Sequence, residues 1–134
     1  MGLKSEEKYS IESISPVNWY IAGILLRFEV VGVKELQPNN RFLSWENKHL
    51  IKAETPDEAY EKALKLGKES EDDYINPDGE NVRWVFEGLT GLLPIYEELE
   101  DGAEIIWIKR ENKTLKTIRK LAKNKEELEV FSSR

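Results

Sequence analysis

The residues whose types can do chemistry together lie on two runs of alternating sequence. Along Trp19 to Val31, the side chains of Trp19, Arg27 and Glu29 share one parity, and along Asn81 to Gly88, Arg83 and Glu87 share one. Residues two apart in an extended chain project from the same side. Two such strands facing the same way would gather Trp, Arg and Glu into a shallow site, and Trp45 lies on a further extended segment. Trp and Arg dominate binding hot spots because both bury wide surfaces, and Arg adds directed hydrogen bonds. The candidate binding residues are therefore Trp19, Arg27, Glu29, Trp45, Arg83 and Glu87. The plainer account of the same pattern is a set of cross-strand ion pairs on a solvated sheet face, each worth about 0.2–1 kcal/mol.

Other chemistries leave weaker traces. Glu29, Glu46, Glu54 and Glu87 could supply a carboxylate pair for hydrolysis, which needs two carboxyls about 5–10 Å apart in a cleft. With 26 acidic residues, chance pairs are abundant, so no catalytic residue is assigned. Asp72, Asp73, Asn76, Asp78 and Glu80 surround Gly79 and suggest oxygen ligands of a calcium loop. The EF-hand register fails, placing Tyr74 first and Val85 last; the segment reads as a solvated acidic turn and no metal site is assigned. His49, the single histidine, reads as a surface or half-buried strand residue. No cofactor is expected: Gly88 and Gly91 lack the lysine and the strand-to-helix context of a phosphate loop. Near the C-terminus, Lys116, Arg119, Lys120, Lys123 and Lys125 recur at spacings that place several on one helix face. Such a face can follow a phosphate backbone or an acidic partner, although no aromatic is interleaved to stack bases. A solvated helix face, or a tail resting on the acidic body, accounts for it as well.

These residues need elements to hold them. Trp19 to Val31 carries an unbroken apolar parity (Tyr20, Ala22, Ile24, Leu26, Phe28, Val30), as expected of an antiparallel strand on a core. Gln37 to Asn40 is a turn cluster, followed by a second extended segment, Arg41 to Ala53, as one bent strand or two pieces. Thr55, Pro56 and Glu58 form a capping box with proline at the first helical position. They predict a helix from about Pro56 to Leu66, ended by Gly67. Glu69 to Glu80 reads as turn, Asn81 to Gly88 as strand, and Leu89 to Glu98 as extended or turn. Asp101-Gly102 is a hairpin-type turn before a final strand, Glu104 to Lys109. Leu115, Ile118, Leu121, Ala122 and Leu128 predict a helix over about Lys113 to Leu128. The order is β-β-α-β-β-α.

Composition narrows the classes. The chain has 134 residues, 40% hydrophobic and 34% charged, with no cysteine. That is one globular domain without disulfides, thiolate metal sites or a cysteine nucleophile. One histidine excludes a two-histidine metal site. Met1 to Ser10 has no signal-peptide core, and the longest apolar run, Trp19 to Leu26, is too short to span a membrane; a cytoplasmic location without membrane contact is expected. The net charge of −6 is uneven. Residues 1–108 hold 11 Lys and Arg against 22 Asp and Glu, a net of −11, and residues 109–134 hold 9 against 4, a net of +5. An acidic body repels phosphate, so nucleic acid is a conceivable partner only through residues 111–134.

Asn18-Trp19-Tyr20, Arg27-Phe28-Glu29, Trp45-Glu46, the segment Ala53 to Tyr60, Val82 to Gly88, and Glu97-Glu98-Leu99 before Asp101-Gly102 together resemble the bacterial family labelled domain of unknown function 4288. The resemblance covers about residues 18–110. It implies no established activity, cofactor or catalytic residue. The reading is an α+β fold with a four-stranded, mainly antiparallel sheet, one helix packed on it and a basic C-terminal helix. Residues 1–17 are expected to be a flexible leader, 18–110 the domain, and 111–134 a basic helix and tail. The function expected first is a non-enzymatic protein-interaction module, self-associating or binding another protein. Nucleic-acid binding through the basic helix and a carboxylate-dependent hydrolase are the alternatives.

Overall fold

The computed structural model describes residues 10–132. Four strands form one antiparallel sheet: β1 (Trp19–Val30), β2 (Leu43–Lys52), β3 (Asp72–Ile75) and β4 (Asn81–Pro94). Their spatial order is β2-β1-β4-β3. Helix α1 (Pro56–Glu69) lies between β2 and β3 in sequence, and α2 (Leu115–Leu121) follows the sheet. The α+β class and the β-β-α-β-β-α order are as the sequence implies, but two elements differ in identity. The third strand comes from the acidic stretch read as turn, and Glu104 to Lys109 has no ladder partner.

The central strand β1 explains the core. Its apolar parity places Tyr20, Ala22 and Ile24 on the helix side of the sheet, all essentially buried. Ile51 and Ala53 join Tyr20 and Ala22 from β2 and its end, and Ala59 and Ala63 join from α1. Two alanines one turn apart let the helix backbone approach the sheet closely, so a thin layer excludes water. Thr55 caps the helix as expected, its Oγ1 accepting from Glu58 N at 3.1 Å, but Glu58 Oε1 accepts from Glu54 N at 2.7 Å, one residue before the cap amide that a capping box would take up. Helix α1 does not stop at Gly67. The helix continues to Glu69, and Gly67 is a buried interior residue, because a Cβ there would run into the ring of Phe86.

β2 is one continuous strand, paired to β1 without a break from Trp19↔Lys52 to Phe28↔Leu43. β4 is longer than expected and irregular. Its register against β1 skips Thr90 and Glu87, two bulges flanking Gly88. Gly88 adopts φ 150°, a region closed to side-chain-bearing residues. The β3–β4 hairpin closes over Asn76, whose Oδ1 accepts from Asp78 N and Glu80 N. That carboxamide therefore binds its own loop, as Asx turns do.

Of the expected leader, residues 1–9 lie outside the described residues. Residues 11–13 form a 3-10 turn, and Ser15 fastens the chain that follows. Its side chain is 2% exposed. Its hydroxyl donates to Ile95 O at 2.5 Å and accepts from Trp19 N at 3.0 Å and Val17 N at 3.3 Å. Ser15 N donates to the Tyr20 hydroxyl at 3.0 Å. Removing a hydroxyl that satisfies several buried groups costs the desolvation of each. Ser15→Ala is expected to lower stability by about 1–3 kcal/mol, read as a shift of the urea midpoint with unchanged slope.

Candidate functional site

Cross-strand partners in an antiparallel sheet project from the same side, so the register assigns each candidate to a face. Arg27, Glu29 and Arg83 lie on the face opposite α1, since Glu29 pairs with Arg83 across β1 and β4. The bulge at Glu87 turns that carboxylate onto the same group. Arg27 Nε donates to Glu87 Oε2 at 2.6 Å and Arg27 Nη1 to Glu29 Oε2 at 2.9 Å. Arg83 Nε stands 3.5 Å from Glu29 Oε1 and 3.2 Å from Asp73 Oδ1. That nitrogen is buried, with neither carboxylate aligned to accept from it. Side chains of Arg27 and Glu29 are only 13% and 12% exposed. The Arg27 guanidinium also lies 5.1 Å from the ring centre of Phe42. Its pKa is raised, chiefly by the Glu87 hydrogen bond, with burial opposing and Glu29 adding to the rise.

The structure thus brings together Arg27, Glu29, Arg83 and Glu87, and it adds Asp73, whose place in an acidic run carries no sign of this pairing. It separates the two tryptophans. Trp19 sits at the far end of β1 on the same face, with Lys52 Nζ 5.7 Å from its ring centre. Trp45 pairs with Leu26 and so faces the helix side. A second polar cluster, missed in the sequence, crosses β1 over Gly23. Thr90 Oγ1 donates to Glu46 Oε2 at 3.1 Å, and Lys48 Nζ is 2.6 Å from the same oxygen. A Cβ on Gly23 would meet Thr90 Oγ1, so the cluster exists because residue 23 has no side chain. Lys48 first, then Thr90, lower the Glu46 pKa.

The helix side carries an uncovered aromatic strip beyond the reach of α1. Phe28 and Trp84 have ring centres 5.0 Å apart, and Trp45 and Trp84 5.8 Å apart. Trp45 is 52% exposed, and Leu43 beside Phe28 is also exposed. The depression next to the strip, lined by Phe28, Val33, Phe42 and Leu43, measures about 140 Å³, below the roughly 300–1,000 Å³ of small-molecule sites. A wider depression of about 440 Å³ lies beside Tyr96 and Trp107, with Glu12 its one carboxylate.

The acid–base constellation does not assemble. Glu29 and Glu87 are bridged by the guanidinium of Arg27, Glu46 is held by Lys48, and Glu54 is beside α1's start in a separate depression. Among the described residues no three His, Asp or Glu side chains converge as metal ligands. Asp72 and Asp73 belong to β3, and His49 is half-buried on β2 opposite Ala22. The basic helix is shorter than expected. It ends at Leu121 because Ala122 leaves helical geometry (ψ 122°). Lys116, Arg119 and Lys120 are on it; Lys123 lies past its end, 3.2 Å from Glu129, and Lys125 opens a 3-10 turn. The apolar stripe Leu115, Ile118 and Leu121 is exposed.

Fold and surface together define a class: a small α+β domain with one helix on a four-stranded antiparallel sheet, polar clusters on one face and an open aromatic strip on the other. The family described as Domain of unknown function (DUF4288) matches residues 19–107. The chain belongs to that family. No curated protein and no solved structure matches it. No helix among the described residues is long and apolar enough to cross a membrane.

Each polar cluster carries its own expectations. Arg27→Met strands one largely buried carboxylate and frees Glu87, so it is expected to cost about 2 kcal/mol in urea unfolding. Arg83→Met, removing a more exposed partner, is expected to cost less than about 1 kcal/mol. Glu46 is expected to titrate below the ordinary Glu value of about 4.3 in carboxyl NMR. A depressed folded pKa contributes stability that is present above the unfolded pKa and lost as pH falls through the folded one. Lys48→Met is expected to move the Glu46 midpoint back upward.

Proposed function

We propose that the chain is a non-catalytic protein-interaction module acting in the cytoplasm, with the aromatic strip Phe28–Trp84–Trp45 as its contact surface. The observation that carries this reading is the open end of the helix-side layer: three packed aromatic rings continue the core past α1 into solvent. Exposed aromatic area of this kind favours a macromolecular partner, since burial of such rings dominates interface energetics. The acidic body supports a partner with basic surface, and association through it weakens as salt rises. The polar network on the opposite face reads as internal support, because its arginines are already engaged by carboxylates.

The test is quantitative capture from the source cell's extract with the full chain and with Trp84→Ser, followed by calorimetry with the purified protein retained. The expected result is a defined protein that binds the wild type and loses about ten-fold or more in affinity to the Trp84 variant, whose circular dichroism is unchanged. Retained proteins that bind both forms equally, or that fail to bind once purified, overturn the reading.

A further inference from the structure

The two borders of the sheet are treated differently. On the β4 side, β3 covers residues 81–84, the strand beyond is broken by bulges at Glu87 and Thr90, and Glu71 Oε2 takes up the amide of Phe86 at 3.0 Å. These are devices that prevent strand addition. β2 has none of them. It runs from Leu43 to Lys52 without proline or bulge. Leu43 and Trp45 on one face and Leu50 on the other are about half exposed. Its central lysine, Lys48, is 2.6 Å from Glu46 of the same strand. Among the described residues nothing pairs with the outer border of β2. A long, regular border strand that nothing covers is a template for another strand.

We infer that β2 pairs with β2 of a second copy of this chain, antiparallel about a two-fold axis through Asn47, joining two four-stranded sheets into one. The inference rests on the reading of the domain as a protein-binding module and adds a second surface to it, the β2 border, whose partner is another copy of the chain. Symmetry and charge select the register. A two-fold axis perpendicular to the sheet places a residue opposite its own copy, and only Asn47 and Lys48 as centres overlap nearly the whole strand. Centring on Lys48 puts two lysines face to face, which opposes pairing. Centring on Asn47 puts Glu46 opposite Lys48 of the second copy, twice by symmetry. It also sets Leu43 opposite Ile51 and Trp45 against His49, and leaves the two Asn47 carboxamides to hydrogen-bond each other on the axis. The strand is self-complementary in this register.

The experiment is size exclusion with light scattering, and sedimentation across a concentration series, on the full chain and three variants. Wild type is expected at twice the 15.6 kDa chain mass. Glu46→Lys and Lys48→Glu each set like charges opposite one another at two places, and each is expected to raise the dimer dissociation constant about ten-fold or more. The double variant Glu46→Lys/Lys48→Glu restores opposite charges and is expected to return near the wild-type constant. All four positions of charge are exposed, and circular dichroism checks that each variant is folded. A wild type that stays monomeric throughout overturns the inference. So does a dimer indifferent to the single changes, or one that the double change fails to restore. Any of these failures together with Trp84-dependent capture leaves the interaction-module reading standing. Charge-swap rescue without any Trp84-dependent partner supports the pairing and removes the aromatic strip as a docking site for another protein.

Discussion

The double ladder on β1 is the constraint from which the rest of this structure follows. β1 hydrogen-bonds to β2 on one side and to β4 on the other along nearly its whole length. It must do so while its inward parity stays dry against α1. Tyr20, Ala22 and Ile24 meet both demands: they are apolar, and small where the helix comes closest. The thinness of that layer then sets the helix. Alanines at 59 and 63 permit the approach, and Gly67 yields its place to Phe86. A bulkier residue at any of these points would lift α1 and open the core to water.

The opposite face obeys a different rule. There the sheet is crossed by polar contacts made possible where β4 departs from regular pairing. An extra residue in a strand re-aims the side chains around it. At Glu87 this turns a carboxylate onto Arg27, and at Thr90 it sends a hydroxyl over Gly23 to Glu46. The first cluster pairs cations with carboxylates across strands, and in the second Thr90 ties Glu46 across β1, which rigidifies the face more than it prepares it for a ligand. The aromatic strip contrasts with this: its rings touch one another and stop at solvent.

What was legible in the sequence is what local chemistry decides. The apolar parity of β1, the Thr55 cap and Pro56 start of α1, and the overall element order all follow from spacing and residue type, and they appear as read. So does the gathering of Arg27, Glu29 and Arg83, because parity survives into the sheet; Glu87 joins them at a bulge. What was not legible depends on pairing partners. β3 is four residues long and contains two aspartates, a composition that disfavours strands; it forms because β4 offers a border to it. Glu104 to Lys109 shows the converse. Ile105, Ile106, Trp107 and Ile108 have strong strand propensity, yet among the described residues they join no ladder, and all four are exposed. Gly67 looked like a terminator because a glycine after an amphipathic run usually is one; its actual cause is a ring on another strand. Trp45 groups with Arg27 on sequence alone because an isolated tryptophan carries no mark of which face it takes; the register with Leu26 decides that.

The unequal treatment of the sheet's borders bears on how such a domain avoids or uses association. An uncovered strand border is a hazard that folded proteins suppress by bulges, charges or short strands. β4 is guarded in three ways at once, by bulges, by a short neighbouring strand and by the Glu71 carboxylate on Phe86 N. Guarding one border so thoroughly while leaving a ten-residue border regular on the other is not what a domain selected only for solubility would show. Lys48 would be the natural guard on β2. Instead Glu46, two residues away on the same face, neutralises it, and Thr90 reaches across β1 to fix that glutamate in place. The bulge that disables pairing at β4 therefore also shapes the charge pattern presented at β2. One irregularity in β4 acts on both borders because Gly23, between them, leaves the space for it.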